Sequence, residues 1–215
     1  MMSFFDMTCL KTIKVAVISP SKPNASREIP LNSALCSTYT LINRYSSYEV
    51  AMLTQDALLT RLKAEGISYE ITHHPAVFNM AEVAQIELPY PEVNAKNLFV
   101  RDHKRRDYYM ITVLGHKRVD LKAFRHAHGL RALTFATPEE LLEMLGLIPG
   151  AVTPFGLLND QSAKVHLYID SELVKPNGLI GAHPNDNRAT LWLKTDDLLA
   201  LIRAHGNPIS VVDIP

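Results

Sequence analysis

A lysine on a predicted strand is the first residue of this chain that could do chemistry. Residues 94–101 alternate in the manner of a β-strand, so Lys96, Leu98 and Val100 share one face. Because Leu98 and Val100 favour that face as the core side, the lysine is expected to project into or beside the interior. A charge there is costly unless it has a partner or a task. The alternative is a lysine on an edge strand, where it discourages aggregation.

Two further stretches could contribute to the same chemistry. In residues 150–154 the first glycine allows close backbone approach and the last proline stiffens the loop, so exposed N–H groups could hold a carbonyl oxygen. His183 precedes a proline, which favours extended geometry, and a turn-forming Asn-Asp-Asn run follows. Alone, such a loop is more often a turn and such a histidine more often structural. The loop consists of Gly150, Ala151, Val152, Thr153 and Pro154.

The predicted elements around these stretches mix helices and strands without a regular repeat. Helices are predicted to begin at Thr54, Asp120, Thr137 and Thr195, and residues 137–140 form a capping box with proline at the first helical position. A mixed α/β sheet is therefore predicted. Strands are predicted over residues 67–72, 94–101, 108–114, 130–135, 164–170, 179–182 and 189–193.

Composition excludes several classes of site. The 215 residues hold 22 Lys+Arg and 22 Asp+Glu, so overall charge indicates no partner. Both cysteines, Cys9 and Cys36, lie in the first 51 residues, which excludes a cysteine nucleophile and cysteine-containing zinc sites from the remainder. The cysteine-free remainder makes the cytoplasm the default compartment. No apolar run is long enough to span a bilayer, so no membrane partner is predicted.

Residues 1–51 differ in character from the rest of the chain. They include a linker-like stretch over 20–26 and a Ser-, Thr- and Tyr-rich stretch over 33–47. We interpret residues 1–51 as a poorly ordered N-terminal extension and residues 52–215 as the folded domain. Met52 could be the true translation start.

Positive charge is concentrated over residues 101–131. This stretch holds nine Lys or Arg residues and three acids, a balance that suits a phosphate backbone. Lys104, Arg105 and Arg106 fall in a predicted hairpin turn and are the candidate RNA-binding residues. A solvated basic hairpin is the alternative. RNA would be bound as a positioned substrate, since signatures of dedicated RNA-binding modules are missing.

Five motifs occur in order along residues 52–215. Together they resemble the YbaK/prolyl-tRNA-synthetase-associated editing domain and, within it, the free-standing ProXp-ala group, also called PrdX or ProX. The resemblance implies an α/β fold with a barrel-like mixed sheet surrounded by helices. The motifs are His74-Pro75-Ala76-Val77-Phe78, Lys96-Asn97-Leu98-Phe99, Asp120-Leu121-Lys122, Gly150-Ala151-Val152-Thr153-Pro154-Phe155-Gly156-Leu157 and His183-Pro184.

The resemblance implies a trans-editing deacylase that hydrolyses alanine from mischarged tRNA(Pro), with prolyl-tRNA synthetase as a further partner. It implies that Lys96 lies near the terminal adenosine and its phosphate, and that the 150–154 backbone surrounds the aminoacyl carbonyl. His183 would shape the pocket wall and Asn97 would help to hold the substrate. Water would be the nucleophile, assisted by the tRNA 2′-hydroxyl, with no metal or cofactor. The substrate-binding set is completed by His74 and Asn79.

One departure from the family pattern concerns specificity. Relatives commonly have a Thr-Val pair and acidic residues after the first motif, where this chain has Asn79-Met80-Ala81-Glu82. This departure bears on the amino acid removed and not on the reaction class. The alternatives are a deacylase of another mischarged tRNA, such as Cys-tRNA(Pro), and a non-catalytic tRNA-binding relative. A metal hydrolase using His73, His74 and His183 is disfavoured because no H-E-x-x-H motif occurs.

Overall fold

The computed structural model describes residues 12–16, 26–30, 52–77, 80–83, 85–175 and 178–215. The chain divides into two units, residues 1–50 and 51–215. In the first unit, β1 (Thr12–Ala16) and β2 (Ser26–Pro30) pair antiparallel, which the sequence analysis did not predict. The remainder of the proposed extension lies outside the described residues, and its poor order stays a prediction.

The second unit carries all the candidate site residues. Three 3-10 helices, Pro91–Val93, Pro154–Asn159 and Ser171–Val174, lie between its longer elements. These elements are, in chain order, α1 (Gln55–Ala64), β3 (Tyr69–His73), α2 (Met80–Val83), β4 (Ala95–Asp102), β5 (Tyr108–Leu114), α3 (Leu121–Ala127), β6 (Leu133–Phe135), α4 (Pro138–Leu145), β7 (His166–Asp170), β8 (Leu179–Ala182), β9 (Ala189–Lys194), α5 (Thr195–His205) and β10 (Ile209–Val212).

The described strands of the second unit form two open sheets. One has five strands in the order β10-β7-β5-β4-β6, and the other has three in the order β3-β9-β8. A short polar turn joins β4 to β5 as an antiparallel hairpin, whereas β5 and β7 are parallel and need a long crossover. The predicted mixed α/β class is confirmed, although the strands do not close into a barrel.

The two sheets meet at an isolated parallel bridge between Asn94 and Gly181. A glycine is needed there because an added Cβ would lie 2.1 Å from the ring of Trp192. That ring is buried, and its Nε1 donates a hydrogen bond to Thr72 Oγ1 at 3.0 Å. The packed tryptophan therefore fixes the place where β8 approaches the start of β4.

Both faces of β4 are covered. Phe99 packs into the larger hydrophobic cluster, which contains Met110 and Phe155. Leu98 and Val100 face a smaller cluster. The face predicted to be the core side, that of Leu98 and Val100, covers only the smaller cluster, and the opposite face covers the larger core.

Helix starts follow the predicted capping chemistry. The Thr54 hydroxyl accepts a hydrogen bond from Ala57 N at 3.3 Å at the start of α1. Before α4, Glu140 N donates to Thr137 Oγ1 at 3.2 Å and Thr137 N donates to Glu140 Oε2 at 2.8 Å, which confirms the capping box. No helix in the described part of the chain is long and apolar enough to cross a membrane.

Candidate active site

Lys96 lies near the start of β4, on the same face as Leu98, and is half-buried. Its Nζ donates a hydrogen bond to the backbone carbonyl of Lys117. Burial lowers the pKa of Lys96, and the neighbouring Arg118 lowers it further. No carboxylate of the described residues forms an ion pair with Lys96. Among the described residues, neither Lys96 nor Arg118 forms an ion pair with an acid, so positive charge remains available at this end of the sheet.

Lys117 differs from Lys96 because its charge is neutralised. Its Nζ lies 2.7 Å from a carboxylate oxygen of Asp170 and 2.7 Å from one of Glu172, and donates to the Ile214 carbonyl at 2.5 Å. Burial alone would lower the pKa of Lys117, but the bonds to the two carboxylates raise it. These three contacts hold Lys117 in place, and its backbone carbonyl accepts the hydrogen bond from Lys96 Nζ.

The Gly150–Pro154 loop is a buried turn with free amides. Gly150 has φ +90°, which is strained for other residues, and Thr153 is fully buried. The loop is held locally by bonds from Ala151 N to Ile148 O and from Gly156 N to Thr153 O. Among the described residues, none accepts a hydrogen bond from the N–H of Val152 or Thr153. Such amides can stabilise a carbonyl oxygen that becomes negative during reaction.

Asn97 ties this loop to β4. Its Nδ2 donates to the Val152 carbonyl at 3.1 Å, and its Oδ1 accepts from Thr112 Oγ1 at 2.8 Å. Lys96 and Asn97 alternate along the strand, so their side chains leave opposite faces of β4. A ligand that touches both Lys96 and the loop must therefore cross the start of the strand.

His183 follows directly after β8, beside the same end of β4. Asn94 and Gly181 form a parallel bridge, and the chain runs in the same direction from both residues. Lys96 and His183 each lie two residues beyond that bridge. The Nδ1 of His183 lies 2.9 Å from the Ala189 carbonyl, which can only accept, so Nδ1 carries a proton and donates. Burial lowers the pKa of His183, opposed by the Ala189 bond. Burial therefore favours the neutral form of the ring.

His74 stands next to His183, with ring centroids 6.1 Å apart. Its Nε2 lies 3.0 Å from Thr190 Oγ1 and its Nδ1 lies 2.8 Å from the Pro75 carbonyl, so both ring nitrogens are engaged. His74 also borders an open polar cleft of about 510 Å³. The residues lining that cleft are Thr54, Gln55, Asp56, His73, His74, Asp186 and Arg188. Lys96 and the Gly150–Pro154 loop do not line it.

The predicted RNA-binding residues lie at the far end of β4. Lys104, Arg105 and Arg106 are exposed in the turn before β5. Asp102 lies six residue positions beyond Lys96 along β4, a distance of about 20 Å at the usual rise per residue. Arg105 lies 3.4 Å from a Glu140 carboxylate oxygen. No described acid forms an ion pair with Lys104 or Arg106.

Two other basic residues of the 101–131 stretch have structural partners. Arg101 is buried, and its Nε lies 2.7 Å from Glu140. Arg131 lies 3.5 Å from the buried Asp102. The positive charge available for a ligand is therefore smaller than the sequence count suggests.

Not every predicted site residue can be placed, and sequence reasoning missed others. Asn79 lies outside the described residues. Thr112 and Lys117 were not predicted as site residues. Thr112 donates a hydrogen bond to Asn97, and the Lys117 carbonyl accepts one from Lys96. Thr112 could have been found as the one hydroxyl-bearing aliphatic residue in the apolar 108–114 strand. In the described part of the chain, no three His, Cys, Asp or Glu side chains are grouped so as to hold a metal ion.

Comparison with known proteins identifies the family. Residues 74–201 match the model of the aminoacyl-tRNA editing domain. The chain belongs to this family. The match spans β4, the Gly150–Pro154 loop and His183, so it includes the elements that the structure brings together around the start of β4.

Two relatives are similar to this chain over most of their own length. The prolyl-tRNA editing protein ProX of Acetoanaerobium sticklandii is 34% identical over 76% of this chain and 99% of its own length. The prolyl-tRNA synthetase associated domain-containing protein 1 of Mus musculus is 31% identical over 68% of this chain and 88% of its own.

A solved structure shows the same fold. It is described as that of a candidate trans-editing enzyme for prolyl tRNA synthetase. It is 25% identical, with a TM-score of 0.53, and covers 75% of this chain and 94% of its own.

Proposed function

We propose that this protein hydrolyses the ester that joins alanine to mischarged tRNA(Pro), acting in trans to prolyl-tRNA synthetase. The observation that carries the proposal is the pair of free amides, Val152 and Thr153, in a loop tied to the strand of the unpaired cation Lys96. The family match and the names of the relatives support this reaction and substrate. The reaction would take place in the cytoplasm, where tRNA is charged.

The free amides supply electrostatic stabilisation. Water adds to the ester carbonyl carbon, the carbonyl oxygen becomes negative, and the N–H groups of Val152 and Thr153 hold it. The bond to the ribose oxygen then breaks, and the water proton ends on that oxygen, with the substrate's other terminal hydroxyl assisting. This sequence forms no covalent intermediate with the protein.

Lys96 holds the substrate rather than transferring a proton. A half-buried cation with no acidic partner among the described residues attracts an anion strongly, and the phosphate of the terminal nucleotide is the nearest one. Its present bond to the Lys117 carbonyl would be exchanged for the phosphate when substrate binds. Lys96 thus sets the ester beside the loop.

His183 forms part of the wall around the aminoacyl group. Its ring is held by Ala189 and stands beside His74, which Thr190 and Pro75 hold in turn. A rigid wall excludes a larger side chain, which is the way an editing site discriminates when binding alone cannot. On this proposal the wall would admit alanine and reject proline.

The RNA body would lie along β4 towards the exposed turn. Lys104 and Arg106, with no acidic partner among the described residues, would meet acceptor-stem phosphates about 20 Å from Lys96. Arg105 would contribute less to phosphate binding, because its guanidinium already lies beside the Glu140 carboxylate.

The proposal is tested with tRNA(Pro) charged separately with alanine, cysteine, serine and proline. Ala-tRNA(Pro) should be deacylated fastest and Pro-tRNA(Pro) spared. Preference for the cysteine ester would reassign the substrate, and tRNA binding without hydrolysis of any ester would support the non-catalytic alternative.

A further inference from the structure

Thr112 is a polar side chain in an apolar strand, and it is fully buried. It stands directly opposite Asn97 in the β4–β5 register. Its hydroxyl donates to Asn97 Oδ1 at 2.8 Å. Burying a hydroxyl costs free energy unless it forms a hydrogen bond. The bond to Asn97 offsets that cost for Thr112.

The partners fix which way round the Asn97 amide lies. The Val152 carbonyl can only accept, so the amide must turn its NH₂ group towards it, at 3.1 Å. The amide oxygen then faces Thr112, whose hydroxyl must donate. If the hydroxyl were missing, the amide oxygen would lose its buried donor and the orientation would be less strongly set.

The orientation of Asn97 is transmitted through one peptide unit. The described chain contains no cis peptide bonds, so the Val152–Thr153 peptide is trans. In a planar trans peptide the C=O and N–H point in opposite directions. With the Val152 oxygen held by Asn97, the Thr153 N–H points away from Asn97, and no described residue accepts it.

We propose that Thr112 and Asn97 are positioning residues that aim the Thr153 N–H at the carbonyl oxygen of the substrate ester. The inference rests on the proposed function and deepens it, because it names the side chains that preorganise the loop. Neither residue needs to touch the reacting atoms. Their effect should appear in the rate of hydrolysis and not in the affinity for tRNA.

The first test replaces Thr112 by valine, which has the same shape and lacks the hydroxyl. Single-turnover hydrolysis of Ala-tRNA(Pro) should fall about 10-fold, the effect of one misplaced hydrogen bond. Affinity for tRNA should stay within about 2-fold. Thr112→Ser keeps the donor and should recover most of the parent rate. The lost bond should also lower the melting temperature, so rates are compared well below it, where a slower reaction by folded protein with unchanged tRNA affinity separates positioning from stability.

The second test uses Asn97→Asp, which has the same shape but places a carboxylate oxygen against the Val152 carbonyl. At neutral pH the rate should fall about 100-fold, as when a donor to the developing oxyanion is lost. A protonated carboxyl has one donor and one acceptor and can restore both bonds. The ratio of variant to parent rates should therefore rise as the pH is lowered, with both proteins measured in the same buffers.

The outcomes distinguish this inference from the proposed function. A parent protein that hydrolyses no charged tRNA contradicts the proposed function. An active parent, together with Thr112→Val at the parent rate and a pH-independent Asn97→Asp ratio, overturns the positioning role alone. If Thr112→Val does not fold, the Asn97→Asp pH comparison decides.

Discussion

Gly150 offers a sharp test of the loop because its backbone excludes ordinary side chains. Its φ of +90° is far from the conformations that L-residues prefer. In Gly150→Ala the loop must either keep this strained backbone or move. Because the free amides of Val152 and Thr153 follow within three residues, a small movement shifts them relative to the ester carbonyl.

The expected size follows from the backbone strain. A non-glycine residue at positive φ costs about 1–2 kcal/mol. Against a total stability of roughly 5–15 kcal/mol, the domain should stay folded. Its melting temperature should fall by about 2–8 °C. If the loop relaxes by the same free energy, the reactive arrangement becomes about 10-fold rarer, so hydrolysis should slow by at least that factor.

The assay compares Gly150→Ala with Gly129→Ala. Gly129 has φ +64°, and an added Cβ there meets nothing within 4 Å. It follows α3 and lies outside the loop, so its strain should lower stability similarly without slowing hydrolysis. Melting temperature, single-turnover rate and tRNA affinity are measured for both variants and the parent, and affinity should change little in either.

Two results would refute this reasoning about the loop. If both glycine variants hydrolyse Ala-tRNA(Pro) at the parent rate, the Gly150–Pro154 backbone does not hold the carbonyl. If both slow hydrolysis equally, the effect follows from stability and not from the loop.

Three further predictions concern the RNA surface, acid stability and the extent of the domain. Replacing Lys104 and Arg106 together by alanine should lower the slope of log affinity against log salt by about two units, roughly one per phosphate contact. An unchanged slope means that the turn is only solvated. Burial alone would raise the pKa of Glu140, but the bonds from the Thr137 backbone and from Arg101 lower it. This stabilisation is present above the unfolded carboxyl pKa of about 4.3 and is lost as pH falls through the lower folded value. In Glu140→Gln the free energy of unfolding should therefore fall less steeply on acidification than in the parent. An equally steep fall would contradict the assignment. Finally, a protein beginning at Met52 should melt within a few degrees of full length and retain activity, whereas failure to fold would show that residues 1–51 are needed.

Local patterns were predictable from the sequence. The strand over residues 108–114 is observed with the predicted bounds, because its apolar run ends at a glycine. The capping box at Thr137 and Glu140 is also observed, since its two bonds span only three residues. By contrast, β10 was missed. It has only four residues, and its pairing with β7 depends on chain more than 30 residues away.

The contacts that assemble the site were not predictable because they join distant residues. The bond from Asn97 to the Val152 carbonyl spans 55 residues, and the Arg101–Glu140 bond spans 39. Arg101 therefore looked like part of a basic RNA surface, whereas it is buried and held by the partly buried carboxylate of Glu140. Side-chain type shows which chemistry is possible, while register and crossover connections decide which groups meet.

Lys96 provides the most direct test of the central claim. Lys96→Ala should slow single-turnover hydrolysis of Ala-tRNA(Pro) by orders of magnitude and leave the melting temperature near that of the parent, because no described carboxylate loses a partner. Lys96→Arg should recover little, since the guanidinium is larger and presents its donors differently. Lys63→Ala, which removes an exposed lysine on α1 outside the matched family region, is the matched control and should react at the parent rate. Hydrolysis by Lys96→Ala at the parent rate would contradict the assignment of this site.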